Sequence, residues 1–310
     1  MRIVSLLPSA TELLCALGAG DDLVAVTHEC DHPPEVARLP AVTRNLLPPD
    51  LTAAEIDAAV AASMGDAHTI YALQADALAH ARPDVIVTQQ LCEVCAVPHS
   101  AVVEAVCTLP SQARVVTADP LTLSDMQRVV REVATAIGRG LTGERVANEL
   151  QERLASVERL TRDRQRPSVI VMEWPDPPWT GGHWVPEMVE TAGGTCLVGS
   201  PGAPSERSTW TALGDHRPEI VIAAFCGLDL DATKAEVEAI AAAPKWRTLT
   251  EGARVVAVDG SAYVSRPGPR LVDGTELFGW IFHRLEPLRP PPGRAAERDP
   301  SVGWIDLAHR

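Results

Sequence analysis

Ile3-Val4-Ser5-Leu6-Leu7-Pro8-Ser9-Ala10-Thr11-Glu12 runs a short apolar stretch straight into a helix-start signal, and this unit decides the fold. An apolar run that proline breaks after a few residues reads as a buried strand. Ser9-Ala10-Thr11-Glu12 has the spacing of a capping box and predicts a helix over Thr11–Leu17, which Gly18 to Gly20 stops. The alternation continues outward: Leu23–Thr27, Val85–Thr88 and Arg114–Thr117 read as strands, and Thr52–Ser63, Ala72–Ala81 and His99–Val106 as helices. This is the pattern of βαβ units around a mostly parallel sheet. From Leu123 to about Arg162 apolar residues recur at three- and four-residue intervals, broken only near Gly138 to Gly143, which predicts a rigid backbone helix. Beyond it, strands are expected at Ser168–Met172, Glu219–Ala224 and Arg254–Val258, and helices at Trp184–Ala192, Asp231–Ala243 and Arg270–Leu285. The fold class expected is α/β: two Rossmann-like lobes with mostly parallel sheets, over residues 1–122 and 167–286, joined by a single long helix within 123–166. Residues 287–310, rich in proline and charge, read as a loose tail.

The totals narrow the function classes. A chain of 310 residues is long enough for two cores. A formal net charge of −14 disfavours a nucleic-acid partner, since phosphate binding needs a concentrated basic surface. The one basic cluster, Arg159 to Arg166, reads as the solvated end of a helix. No run approaches the roughly 18 apolar residues of a membrane span. No basic and apolar leader precedes Ile3, so the chain is expected to be cytoplasmic, and its seven cysteines to be free thiols or metal ligands. No phosphate-binding loop, dinucleotide fingerprint or nucleophile elbow is found, so a binding role is expected rather than catalysis.

Ligands of open parallel sheets bind outside the carboxyl ends of the strands. The predicted strand ends carry Cys30, Cys92, Cys95 and Cys226, four thiols that would suit zinc or an iron–sulfur cluster if the fold brought them together. His28, Glu29, Asp31 and His32 form the densest cluster of potential hard ligands. Seven tryptophans stand against three phenylalanines and two tyrosines, and Trp174 and Trp179 share the short segment Glu173-Trp174-Pro175-Asp176-Pro177-Pro178-Trp179. Their flat, rigid faces suit a planar ligand. His183 follows Gly181-Gly182 at a predicted helix start, where an imidazole and free backbone amides meet.

Ile3 to Glu12, then Leu17-Gly18, then Val24-Ala25-Val26-Thr27-His28-Glu29-Cys30-Asp31, together resemble the opening of the cobalamin and iron-siderophore substrate-binding proteins of ABC importers. Ala81-Arg82-Pro83-Asp84-Val85-Ile86-Val87 resembles a strand of that family. Arg217-Pro218-Glu219-Ile220-Val221-Ile222 looks like its counterpart in the second lobe, and Ser265-Arg266-Pro267-Gly268-Pro269-Arg270 like the segment before the last helix. The His-Glu-Cys-Asp, Leu-Cys-x-x-Cys and Cys-Gly segments are most similar to a leaderless branch labelled cobalamin-binding. The resemblance implies two lobes with a ligand cleft between them, a small-molecule ligand such as a cobalamin, another corrinoid or a related tetrapyrrole, and an ABC permease as partner. It implies a ligand-binding set of Ser9, Thr11, His28, Glu29, Trp174, Trp179, His183 and Arg266. The alternative on the same scaffold is a metal or iron–sulfur protein that uses Cys30, Cys92, Cys95 and Cys226.

Overall fold

The computed structural model describes residues 1–49, 51–65, 70–90, 97–109 and 112–309. The chain divides into two compact units, one of Met1–Pro120 with Asp125–Glu149 and the other of Leu121–Ser124 with Leu150–Arg310.

Unit 1 begins β1 (Ile3–Ser5), α1 (Pro8–Ala16), β2 (Leu23–Ala25), β3 (Thr43–Asn45), α2 (Ala53–Gly65) and β4 (Tyr71–Leu73). It continues α3 (Ala75–Ala81), β5 (Val85–Thr88), α4 (His99–Thr108), β6 (Arg114–Thr117) and α5 (Met126–Ala136), then the first part of α6 (Gly140–Thr161). Among the described residues, β2-β1-β5-β6 form a parallel sheet, with Ile3, Val4 and Ser5 beside Val85, Ile86 and Val87. Both central strands are buried throughout, which is why they read as continuous apolar runs. From β1 the chain moves to β2 on one side and later returns to β5 on the other, so the topological switch lies at the carboxyl ends of β1 and β5. Val4, Leu6, Ile86, Leu78 and Val102 pack one face of the sheet. A separate antiparallel ribbon pairs β3 with β4.

Unit 2 holds the rest of α6, then β7 (Ser168–Pro175), β8 (Pro178–Thr180), α7 (Val185–Thr191), β9 (Thr195–Cys196), β10 (Glu206–Arg207), α8 (Trp210–Asp215) and β11 (Ile220–Ala223). It ends α9 (Leu230–Ala241), α10 (Pro244–Leu249), β12 (Arg254–Val258), α11 (Gly260–Tyr263), α12 (Arg270–His283), β13 (Ala295–Asp299) and β14 (Gly303–Asp306). Its sheet runs β10-β8-β7-β11-β12-β13-β14, with β9 also beside β7. β7, β11 and β12 are parallel, and the switch lies between β7 and β11, where the Cys226 N–H donates to the Glu173 carbonyl over 2.9 Å. Asp229 and Asp259 start α9 and α11 by accepting the Ala232 and Ala262 amides at 2.8 and 2.7 Å. Among the described residues no helix is long and apolar enough to cross a membrane.

Four expectations are corrected. The first helix starts at Pro8, three residues before Thr11, and makes no side-chain cap: proline at the first helical position lacks the N–H that a cap would satisfy. Ala72 and Leu73, expected as the start of a helix, belong to β4, drawn into extended backbone by its pairing with β3. The stretch from Leu123 is two helices, α5 and α6, parted at Gly138 with φ +73°. Finally, residues 287–309, expected to belong to a loose tail, are ordered against the unit 2 sheet. β13 adds antiparallel to β12, β14 closes the edge, and buried Glu297 accepts from Arg254 and Arg284, both at 2.8 Å. The Trp280 indole N–H also reaches the Leu307 carbonyl at 3.3 Å.

Candidate functional site

In unit 1 the strand β2 delivers Thr27 to Cys30 to its carboxyl end, where other side chains hold each of them. The Thr43 hydroxyl lies 2.7 Å from His28 Nδ1 and also accepts the His28 backbone N–H at 3.2 Å. The Tyr71 hydroxyl donates to Glu29 Oε1 at 2.6 Å, and the Tyr71 and His28 rings are 5.3 Å apart at 55°. The β3–β4 ribbon therefore supplies both holders. Thr27, Thr43 and Tyr71 line a small depression with Leu6, His28 and Glu29. His28 is exposed at its rim.

Cys30 sits behind this row and is 5 % exposed. Its sulfur lies 3.1 Å from Thr11 Oγ1 and 3.2 Å from Thr27 Oγ1. Thr11 is fully buried and Ser9 is 3 % exposed, both inside α1. With the helix starting at Pro8, Ser9 and Thr11 face the interior rather than a helix mouth. The Thr11 hydroxyl serves the packing of Cys30.

In unit 2 the carboxyl end of β7 turns into β8 through Asp176-Pro177, a cis peptide bond, and pairs Trp174 with Trp179 and Pro175 with Pro178. Directly opposed residues of an antiparallel pair share a face, so both half-buried indoles lie on one side of this hairpin. The expected loop is thus a rigid ribbon. The chain then enters Gly181-Gly182-His183. His183 has φ +51°, a left-handed conformation that few side chains adopt. It is held from both sides: its N–H donates to the Ala203 carbonyl, and its carbonyl accepts the Gly202 N–H at 2.9 Å. A Cβ on Gly182 would run into the backbone of Pro204 and Ser205, so glycine lets the two loops touch. The Ser205 hydroxyl donates to Glu173 at 2.6 Å. Burial holds the His183 imidazole below its ordinary pKa. Contrary to expectation, the His183 amide is satisfied within the protein.

Arg266 is half-buried in the segment between α11 and α12, where its carbonyl accepts the Gly268 N–H at 2.8 Å. Burial raises the Asp259 carboxyl pKa, a shift that positive charge on Arg270 and Arg266 opposes. Cys226 is exposed at the end of β11. Cys92 and Cys95 lie outside the described residues. Among those described, no group of three or more histidine, cysteine or acidic side chains is placed to hold a metal ion. Thr43, Tyr71 and Ser205 escaped the sequence reading. Thr43 and Tyr71 hold the candidates His28 and Glu29, and Ser205 holds Glu173 beside Trp174, each from elsewhere in the chain, and no local pattern marks such a partner.

An α/β chain of two units, each with polar or aromatic residues at the carboxyl ends of parallel strands, has the build of a small-molecule binding protein. Residues 3–253 match the family model described as periplasmic binding protein, and the chain belongs to that family. Solved structures of the same fold include a periplasmic heme-binding protein from Pseudomonas aeruginosa, 20 % identical, covering 91 % of this chain and 92 % of its own with a TM-score of 0.68. The periplasmic heme-binding protein RhuT from Roseiflexus sp. RS-1 is 22 % identical, with coverages of 89 % and 96 % and a TM-score of 0.66. The periplasmic vitamin B12 binding protein BtuF of Vibrio cholerae is 19 % identical, with coverages of 90 % and 94 % and a TM-score of 0.63. No curated protein matches the chain.

Proposed function

We propose that this protein is the substrate-binding component of an ABC importer and that its ligand is a tetrapyrrole of the corrinoid or heme kind. The carrying observation is the Trp174–Trp179 hairpin, which presents two rigid aromatic faces beside the His183 loop. A large planar ring gains most of its affinity from such apolar surface, with a few polar groups fixing its orientation. Several solved proteins of this fold are named for heme or vitamin B12, which supports the same class. The residues offered to the ligand are His28 and Glu29 in unit 1, and Trp174, Trp179, His183 and Arg266 in unit 2. Ser9 and Thr11 drop out because they are buried.

Equilibrium titration of the purified chain with cyanocobalamin and with hemin, followed by tryptophan fluorescence, tests this reading. Saturable one-to-one binding of either, micromolar or tighter, is expected. Absence of binding by both would sink it. Stoichiometric iron or zinc in protein purified without oxygen, lost on changing Cys30, Cys92, Cys95 or Cys226 to Ser, would replace it with a thiolate-held metal.

A further inference from the structure

The hydrogen-bond accounting around Thr43 bears on which ring nitrogen of His28 carries the proton. Thr43 is 2 % exposed, and its hydroxyl meets two groups, the backbone N–H of His28 at 3.2 Å and His28 Nδ1 at 2.7 Å. The backbone N–H can only donate, so it uses an acceptor site of the hydroxyl oxygen. Among the described residues the hydroxyl proton then has one acceptor within reach, Nδ1. If Nδ1 held a proton itself, two donors would converge on the oxygen and the hydroxyl proton would be left buried and unpaired. Nδ1 is therefore the acceptor, and the neutral ring carries its proton on Nε2. The tilted Tyr71 ring fixes the plane of the imidazole, and His28 is exposed, so this N–H is free to meet a bound molecule.

A metal-binding histidine shows the reverse arrangement: the nitrogen away from the metal is the one that donates its proton to a neighbouring acceptor. Glu29 lines the same depression as His28, and its carboxylate already accepts from Tyr71. A second carboxylate arriving from a ligand would be repelled there, whereas a neutral oxygen would not. We propose that His28 donates a hydrogen bond through Nε2 to a carboxamide oxygen on the rim of the ligand and does not coordinate the ligand's metal. This rests on the tetrapyrrole reading and narrows it to a ring fringed with amides, as corrinoids are, over one fringed with carboxylates.

The tautomer is read on the ligand-free protein by nitrogen-15 NMR, with His28→Asn to assign the ring. In the neutral ring Nε2–H is expected, with Thr43→Val giving a mixture; Nδ1–H in the unaltered protein would overturn the proposal. Binding is then measured with cyanocobalamin and with dicyanocobinamide, in which cyanide fills both axial positions of cobalt. His28→Ala should weaken both by a similar factor, about 5- to 10-fold. His28→Gln, which retains a side-chain N–H, should recover part of the loss. A loss confined to a corrinoid with an exchangeable axial position, accompanied by a change in its visible spectrum, would overturn the proposal in favour of coordination. If the unaltered protein binds hemin but neither corrinoid, the amide assignment fails while the tetrapyrrole reading stands. If it binds none of these, both fail, and the NMR result alone decides the tautomer.

Discussion

Units 1 and 2 place comparable features at the carboxyl ends of parallel strands and build them by opposite means. In unit 1 side chains hold side chains: Thr43 on His28, Tyr71 on Glu29, Thr11 and Thr27 on Cys30. In unit 2 the backbone makes the shape, through a two-strand hairpin and two loops that touch at Gly182. Side-chain networks fix direction, because each bond dictates where a proton points. Backbone contacts fix surface, because they decide where an indole can stand. The first arrangement should tolerate changes of bulk and fail on changes of polarity, and the second the reverse.

The strongest test falls on the backbone-built side. Gly182→Ala puts a methyl group into the Pro204–Ser205 backbone, which cannot move aside as a flexible side chain would. A destabilisation of about 3 kcal/mol is expected by denaturant unfolding, the upper end for overpacking. A cost under about 1 kcal/mol would show that the loops are not in firm contact.

Next is the added edge of the unit 2 sheet. Glu297→Ala removes the carboxylate that Arg254 and Arg284 share. Both guanidinium groups remain about a third exposed, so water compensates in part and the cost should be about 2 kcal/mol, toward the low end for charge-assisted bonds. Unchanged stability would mean that β13 and β14 are appended to unit 2 without supporting it.

That edge also marks where the sequence stops being legible. The alternating strands and helices of both units were readable because Ile3–Ser5, Val85–Thr88, Ile220–Ala223 and Arg254–Val258 are apolar runs bounded by turn residues. β13 and β14 carry Glu297, Arg298, Asp299 and Asp306, and their charges are accommodated only by partners far away, as when Arg298 meets Glu238 at 2.9 Å. A local window sees those charges as a solvated tail. The same holds for the candidate site. His28, Glu29 and the tryptophans stand out by type and by position at strand ends. Thr43 and Tyr71 become informative only once β3 pairs with β4. The capping-box reading of Ser9 failed for a local reason, since Pro8 had already started the helix.

On the ligand side, Trp179→Ala should lower tetrapyrrole affinity about 10-fold and cost about 1–2 kcal/mol of stability, because one rigid half-buried aromatic face is lost. Thr43→Val should change affinity less and alter the His28 tautomer instead. If the two variants behaved alike in both measurements, the contrast between a surface-setting unit and a direction-setting one would collapse.

The smallest expected effect is a pH dependence confined to unit 2. Burial holds the His183 imidazole below its ordinary pKa of about 6.5. On acidification the unfolded chain takes up its proton first, so more protons are bound in the unfolded state and stability falls as pH falls. The loss begins near the ordinary pKa and is complete below the folded one; above both, the residue contributes no slope. His183→Asn keeps a residue tolerant of the left-handed backbone and removes the titration. His283, also held low by burial, stays in both proteins, so their difference isolates His183. The stability gap between the unaltered protein and His183→Asn should be constant above about pH 7.5 and drift in favour of the variant at lower pH. Parallel stability curves down to about pH 5 would mean that the imidazole is as well solvated as a free one, and the loop around Gly182 more open than its backbone contacts imply.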